Sequence, residues 1–279
     1  MAFTKPSVWF HIPRFSGGAR YTDTNEFLSK SVVISFKSRP GPLAYPTLAM
    51  KQAVRAAAIQ AMNIMWTAND ELAKVVIARR PESALFTNVV DTHFNLVAGD
   101  LAGGSVALVD NIVNKPFALG AVFQHDRRWV LEKIRRGMLS VSFHLNTGVY
   151  LIDMDTAARV VQGGVVIPVG TAIVADGYVH QRGSQSSLVC GFKNGEIHVD
   201  FNDFPNYSVN SCARIIIHEA FHKYWGVGDQ CYAYDANYYR LTLEQTLDNA
   251  DSWAWAAVSL GLAGMRMPHN MSADFNQCP

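Results

Sequence analysis

The sequence predicts an α+β protein dominated by helices, and three features carry that prediction. Apolar residues recur at helical spacing over 47–79, 124–138, from about 208 to Gly226, and over 241–262. In mid-chain, β-branched runs at 140–143, 149–152, 159–161, 165–169 and 172–174 are punctuated by Gly and Pro, which suits a small antiparallel sheet. Hydrophobic residues make up 49% and charged residues 17% of 279, a globular composition large enough to bury its own core.

The first forty residues alternate β-like runs, at 7–12 and 31–36, with the turn signals Gly17-Gly18 and Arg39-Pro40-Gly41-Pro42. One long or two consecutive helices follow over 47–79, stopped by Pro81, and a weaker helical run covers 82–94. Gly99 to Gly104 reads as a loop or helix junction. A strand at 196–201 then leads through Asn202-Asp203-Phe204-Pro205-Asn206 into the helix that begins near Ser208. This order gives a helical and β N-terminal region of unrecognised type, 1–139, and a mostly helical C-terminal region, 140–279, that carries the small sheet. The two also read as one continuous domain.

Charge excludes several partners. Lys and Arg number 24 against 23 Asp and Glu, so no whole-molecule field draws in nucleic acid or an anionic membrane. The densest basic stretch, Arg127, Arg128, Lys133, Arg135 and Arg136, is interleaved with Trp129, Val130, Leu131 and Ile134, as on the wet face of an amphipathic helix. The most apolar region, 96–123, is broken by Asp100, Asp110, Lys115 and Pro116, so no stable membrane insertion is expected. The N-terminus lacks the apolar stretch and cleavage site of a secretory signal; the expectation is synthesis in the cytoplasm, with any export by a signal-independent route. Four cysteines, Cys190, Cys212, Cys231 and Cys278, form no CxxC pair; Cys212 and Cys231 suit either a disulfide or two buried thiols.

The segment Ile215-Ile216-Ile217-His218-Glu219-Ala220-Phe221-His222 contains H-E-x-x-H in helical context. Two histidines four apart project from one helix face and reach one tetrahedral ion, which makes His218 and His222 candidate zinc ligands. Glu219 then stands beside the attacking water as general base. A ligand and a base must be different groups, because one holds the ion while the other takes the proton.

A catalytic zinc takes a third protein ligand and keeps one position open. A pattern with Gly and His at 225 and 228 fails, since Trp225 and Gly228 stand there. Two candidates remain. Gly226-Val227-Gly228-Asp229 allows a left-handed cap and a second sharp turn that bring Asp229 back to the ion, and Glu244 lies on a later helix, as in a gluzincin-type site.

Gly226-Val227-Gly228-Asp229-Gln230-Cys231-Tyr232-Ala233, following H-E-x-x-H, resembles the G-T-x-D-x-x-Y-G signature of the aspzincins, the deuterolysin and peptidyl-Lys metalloendopeptidase group. Asn249-Ala250-Asp251 and the residues around it are similar to that family's later N-A-D-x-Y helix. The resemblance covers about residues 190–262. It implies a zincin-like catalytic domain, His218, His222 and Asp229 as ligands to one zinc ion per chain, Glu219 as base, and Tyr232 as the hydroxyl that stabilises the oxyanion. Asp251 and Asn249 become candidates for supporting the ligands or lining a substrate subsite. Val227 stands where the family has Thr, Ala233 where it has Gly, and Ala254 where lysine-specific members have a second acid, so lysine specificity is not implied.

The strand at 196–201 is expected to border the substrate cleft, with an extended peptide pairing along its edge; His198 and Asp200 share one face of it, and ordinary strand positions suit them better than a place in the cleft. Function on this reading is hydrolysis of internal peptide bonds in a protein or peptide substrate. A peptidase made without a signal suits a toxin or effector, with an inhibitor or immunity partner left unspecified. The alternative from another class is a non-catalytic, metal-stabilised peptide-binding protein, in which Cys231 or His198 closes the site as a fourth ligand. No P-loop, G-x-S-x-G or Rossmann glycine pattern points elsewhere.

Overall fold

Thr47 opens the longest described helix: its hydroxyl accepts a hydrogen bond from the Met50 amide at 3.2 Å, satisfying one of the amides a helix leaves open at its start. The computed structural model describes residues 22–28, 33–38, 46–96, 109–110, 115–116, 127–147, 150–153, 160–162, 165–167, 177–179 and 196–262. The first helix, α1 (Leu48–Val76), buries Val54, Ala57, Ala61, Ile64, Met65, Ala68 and Leu72 along one stripe. Its alanines let neighbours approach closely, and α1 packs on α3 (Arg127–Thr147), α4 (Val209–Trp225) and α6 (Ala250–Gly261). Between them, α2 (Ala84–Phe94) is capped by Ser83 and ends at Asn95 in the left-handed region, φ 49°. Arg127 joins α3 to α2 through Glu82 and Asp91, so the basic stretch is partly spent on internal ion pairs.

A five-stranded sheet lies in the order β1 (Thr22–Phe27), β2 (Val33–Ser38), β5 (Tyr150–Asp153), β9 (Glu196–Val199), β8 (Gly177–Val179). It is mixed: β2–β5 and β5–β9 are parallel, while β1–β2 and β8–β9 are antiparallel, so the strand expected at 149–152 pairs parallel with both neighbours, whereas those expected at 159–161 and 165–169 do meet as an antiparallel pair. Parallel neighbours need long crossover connections, and the chain between β2 and β5 supplies α1, α2 and α3. Two small antiparallel pairs stand apart from this sheet: β3 (Val109–Asp110) with β4 (Lys115–Pro116), and β6 (Val160–Gln162) with β7 (Val165–Ile167). Ile34, Phe36, Leu151, Ile197 and Val199 carry the large sheet's buried side, and one core cluster spans the chain on both sides of residue 139.

Several expected elements change. Residues 140–143 belong to α3, because Val130, Ile134, Met138, Val141 and Leu145 continue one buried helical stripe and packing overrides the local β preference. The helix expected over 241–262 is two, α5 (Leu243–Leu247) and α6, separated where Asn249 is extended at φ −126°, ψ 109° and pairs with Gly228. The strand expected at 196–201 is β9, and it is internal, flanked by β5 and β8, so it offers no free edge to a peptide; β8 is the edge strand on that side. β8 is short and opens with glycine, which is why composition did not mark it. The runs at 7–12, 99–104 and 172–174 lie outside the described residues.

Ser208 caps α4, and its residues from Cys212 to Trp225 are all buried. This helix therefore runs through the core rather than over it. No helix among the described residues is long and apolar enough to cross a membrane.

Candidate metal centre

His218 and His222, one turn apart on α4, bring their Nε2 atoms within 3.0 Å of each other. Gly226 ends the helix at φ 78°, ψ 15°, a left-handed conformation that glycine adopts without steric cost, and its amide donates to the Phe221 carbonyl. The chain then doubles back as the sequence expected. Asp229 Oδ1 arrives 3.2 Å from His218 Nε2 and 2.9 Å from His222 Nε2. Glu219 is buried nearby, with one carboxylate oxygen within 4.8 Å of an imidazole nitrogen of each histidine. Glu244, by contrast, is exposed on α5.

The other ring nitrogens decide the protonation pattern. His222 Nδ1 lies 2.7 Å from the Val227 carbonyl, and His218 Nδ1 lies 3.0 Å from Asp251 Oδ1. A carbonyl and an ionised carboxylate only accept, so both Nδ1 atoms are donors. In the neutral rings both Nε2 atoms are then bare lone pairs, facing each other and a carboxylate oxygen. Three acceptor atoms turned on one another in this way could share a proton or a metal ion. For ligand bonds of 2.0–2.1 Å in tetrahedral geometry the ligand atoms stand about 3.3 Å apart, close to the spacing found here.

Protonation energetics repeat the point. Burial works against a charge on His218, but hydrogen bonds to Asp229 and Asp251 outweigh it and push its pKa up to about 10. Burial raises Asp229 in turn, yet the two histidines hold its carboxyl well below the usual carboxylate range. Without an ion, a proton takes the central place.

Residues 248–251 hold this arrangement from behind. Asp248 Oδ1 accepts from the Gly228 amide at 3.1 Å, and Asn249 Oδ1 accepts from the amides of Gln230 at 3.0 Å and Cys231 at 3.3 Å. Asp251 Oδ2 accepts from the Ala233 amide at 2.6 Å, while its Oδ1 takes both His218 Nδ1 and, at 2.8 Å, Arg214 Nη1. The loop carrying Asp229 and Tyr232 is therefore fixed along most of its length. Asp251 and Asn249 are 2% and 0% exposed, which places them behind the histidines and the loop rather than on an open surface.

Tyr232 lays its ring beside His218, centroids 6.1 Å apart and planes 17° from parallel, and stacks on Tyr234 at 5.3 Å. Burial, with Asp229 next, pushes its hydroxyl up to about 12, so it remains a hydrogen-bond donor across the ordinary pH range. Cys231 turns its thiol to Asp235 Oδ2 at 3.5 Å and to the Tyr232 carbonyl, and burial with Asp235 raises it to about 11. Cys212 and Cys231 are not joined in a disulfide; Cys190 and Cys278 lie outside the described residues. Asp200 accepts from the Asn202 amide and side chain, a local turn. His198 is 7% exposed on β9.

No protein-family model, curated protein or solved structure matches the chain. The chemistry of the site is therefore carried by its own residues.

Two of those residues were not singled out from the sequence. Arg214 had a signal, since it is a charge inside the apolar run Cys212 to Ile217, one turn before His218. Gly177 had none. A Cβ there would stand 2.8 Å from Glu219 Cγ and 3.0 Å from both Glu219 Oε1 and the His198 carbonyl, so the glycine makes room for the buried glutamate.

Proposed function

We propose that this protein is a zinc-dependent endopeptidase of the aspzincin kind, with a zincin-like arrangement of helix and sheet, and with His218, His222 and Asp229 as ligands to one ion per chain. The observation that carries this reading is the convergence of two Nε2 lone pairs and Asp229 Oδ1 within 3.2 Å of one another, both imidazoles being held in the ligating tautomer from behind. The donor set, two imidazoles and one carboxylate, suits zinc. Three features support the rest. Glu219 brings a carboxylate oxygen within 4.8 Å of an imidazole nitrogen of each histidine, within reach of a water bound between them. Tyr232 keeps its proton beside the histidines. The Cys231 thiol is turned to Asp235 rather than closing the site as a fourth ligand.

A divalent ion held there supplies Lewis acidity, polarising a peptide carbonyl and lowering the pKa of water towards about 7. The chain's residues do the remainder. Glu219 accepts the proton of the attacking water and delivers it to the departing amine. Tyr232 donates a hydrogen bond to the oxygen on which negative charge develops, an interaction stronger in the transition state than before it. The geometry favours Asp229 over Glu244 as third ligand, because Asp229 meets both Nε2 atoms and Glu244 is exposed.

The test is digestion of an unstructured protein, such as reduced casein, by zinc-loaded wild type and Glu219→Gln. The reading expects wild type to cut and Glu219→Gln to lose at least about a hundredfold in rate while keeping its metal. Equal activity in the two would contradict it.

A further inference from the structure

Arg214 and His218 stand four residues apart on α4, on one helix face, and both reach the same oxygen of Asp251: Nη1 of Arg214 at 2.8 Å and Nδ1 of His218 at 3.0 Å. The guanidinium is itself buried, 8% of its side chain being exposed, and lies over the Trp255 ring at 5.2 Å. Asp251 is 2% exposed, so its position is set by these protein partners and by the Ala233 amide rather than by water.

From this we infer that Arg214 is a positioning residue for the metal centre: by gripping the Asp251 oxygen that also receives His218 Nδ1, it fixes where that carboxylate stands, and with it the direction in which His218 aims Nε2 at the ion. This rests on the metal-binding reading above and adds to it a residue that touches neither ion nor substrate. It also fixes the role of Asp251. With Arg214 as internal counter-cation and its oxygens taken by Arg214, His218 and the Ala233 amide, Asp251 has no place for a substrate lysine. Arginine suits the task because its long, planar head reaches Asp251 while lying over the Trp255 ring.

The sign of the effect separates this role from simple proximity. A cation that only repelled a nearby dication would weaken zinc binding, and its removal would tighten it. A cation that holds the ligand's support in place does the reverse. Zinc affinity is measured by chelator competition for wild type, Arg214→Met, Arg214→Lys, Asp251→Asn and the double variant Arg214→Met/Asp251→Asn. Expected are binding 10- to 100-fold weaker in Arg214→Met, a clear recovery in Arg214→Lys, and less than about a twofold further loss when Arg214→Met is added to Asp251→Asn. The last comparison stands even if Arg214→Met alone fails to fold, since the double variant leaves no lone buried charge. Binding in Arg214→Met as tight as wild type, no recovery with lysine, or a further tenfold loss in the Asp251→Asn background would each overturn the inference. A wild type that binds no zinc would remove the metal centre itself, whereas these failures leave it intact.

Discussion

Gly177 of the edge strand lies against Glu219 so closely that a single methyl in place of its hydrogen would stand 2.8 Å from Glu219 Cγ. The backbone carbonyl of His198, 3.0 Å away, blocks the other direction of relief. Gly177→Ala is therefore expected to displace the glutamate without touching the histidines. Displacement of a catalytic base by about 1 Å costs on the order of a hundredfold in rate. Peptidase assays and zinc content of the variant check this: lost turnover with full metal is the prediction, and wild-type turnover would count against Glu219 as the base.

Asp229 and Glu244 give a clean contrast. Asp229 supplies an oxygen to both Nε2 atoms, so Asp229→Ala is expected to weaken zinc binding by more than about a hundredfold, beyond what removal of an outer support does. Glu244→Gln, on the exposed side of α5, is expected to bind zinc like wild type. Chelator competition on both variants reads the outcome; the opposite ranking would reassign the third ligand.

Asn249 is the residue whose loss should free the loop. Its side-chain oxygen satisfies the Gln230 and Cys231 amides, and its amide donates to Ser252 Oγ at 3.0 Å. Asn249→Leu keeps a similar volume but strips both loop amides of their acceptor, a cost of roughly 2 kcal/mol in stability. Urea unfolding of the metal-free protein measures that cost. Zinc affinity should fall alongside it, since Asp229 precedes the first of those amides by one residue.

The pH dependence follows from His218. Its folded pKa is raised from an ordinary imidazole value to about 10, so in the metal-free protein the proton stabilises the fold fully below about pH 6.5 and that stability is lost as pH climbs towards 10. Zinc has to displace this proton. Apparent affinity is therefore expected to keep rising roughly tenfold per pH unit between about 7 and 9, where an ordinary histidine is already neutral. Affinity that levels off at neutral pH would show that the proton is not held as the Asp229 and Asp251 contacts require.

The sequence made the site more legible than the fold around it. H-E-x-x-H, the Gly226 cap and the return of Asp229 are local events, set by helix period and by one glycine, and each was readable from neighbouring residues. The α4 start at Ser208 and the α1 start at Thr47 were visible for the same reason, as side-chain caps. The sheet was not, because its parallel pairs join distant residues, Val33 with Tyr150 and Tyr150 with Glu196, and nothing in a strand's composition names its neighbour. Asn249 broke an apparently continuous helix through contacts with a loop about twenty residues earlier. Gly177 owes its importance wholly to what lies opposite it.

The central claim is that the Nε2 atoms of His218 and His222 face each other at 3.0 Å because they share an ion. Elemental analysis of wild type and of His222→Ala, each purified without chelator, dialysed against zinc and then against metal-free buffer, tests it most directly. The account predicts one zinc per chain in wild type and almost none in His222→Ala, with both proteins folded. A folded wild type that retains no metal, or a His222→Ala variant that retains as much as wild type, would contradict it.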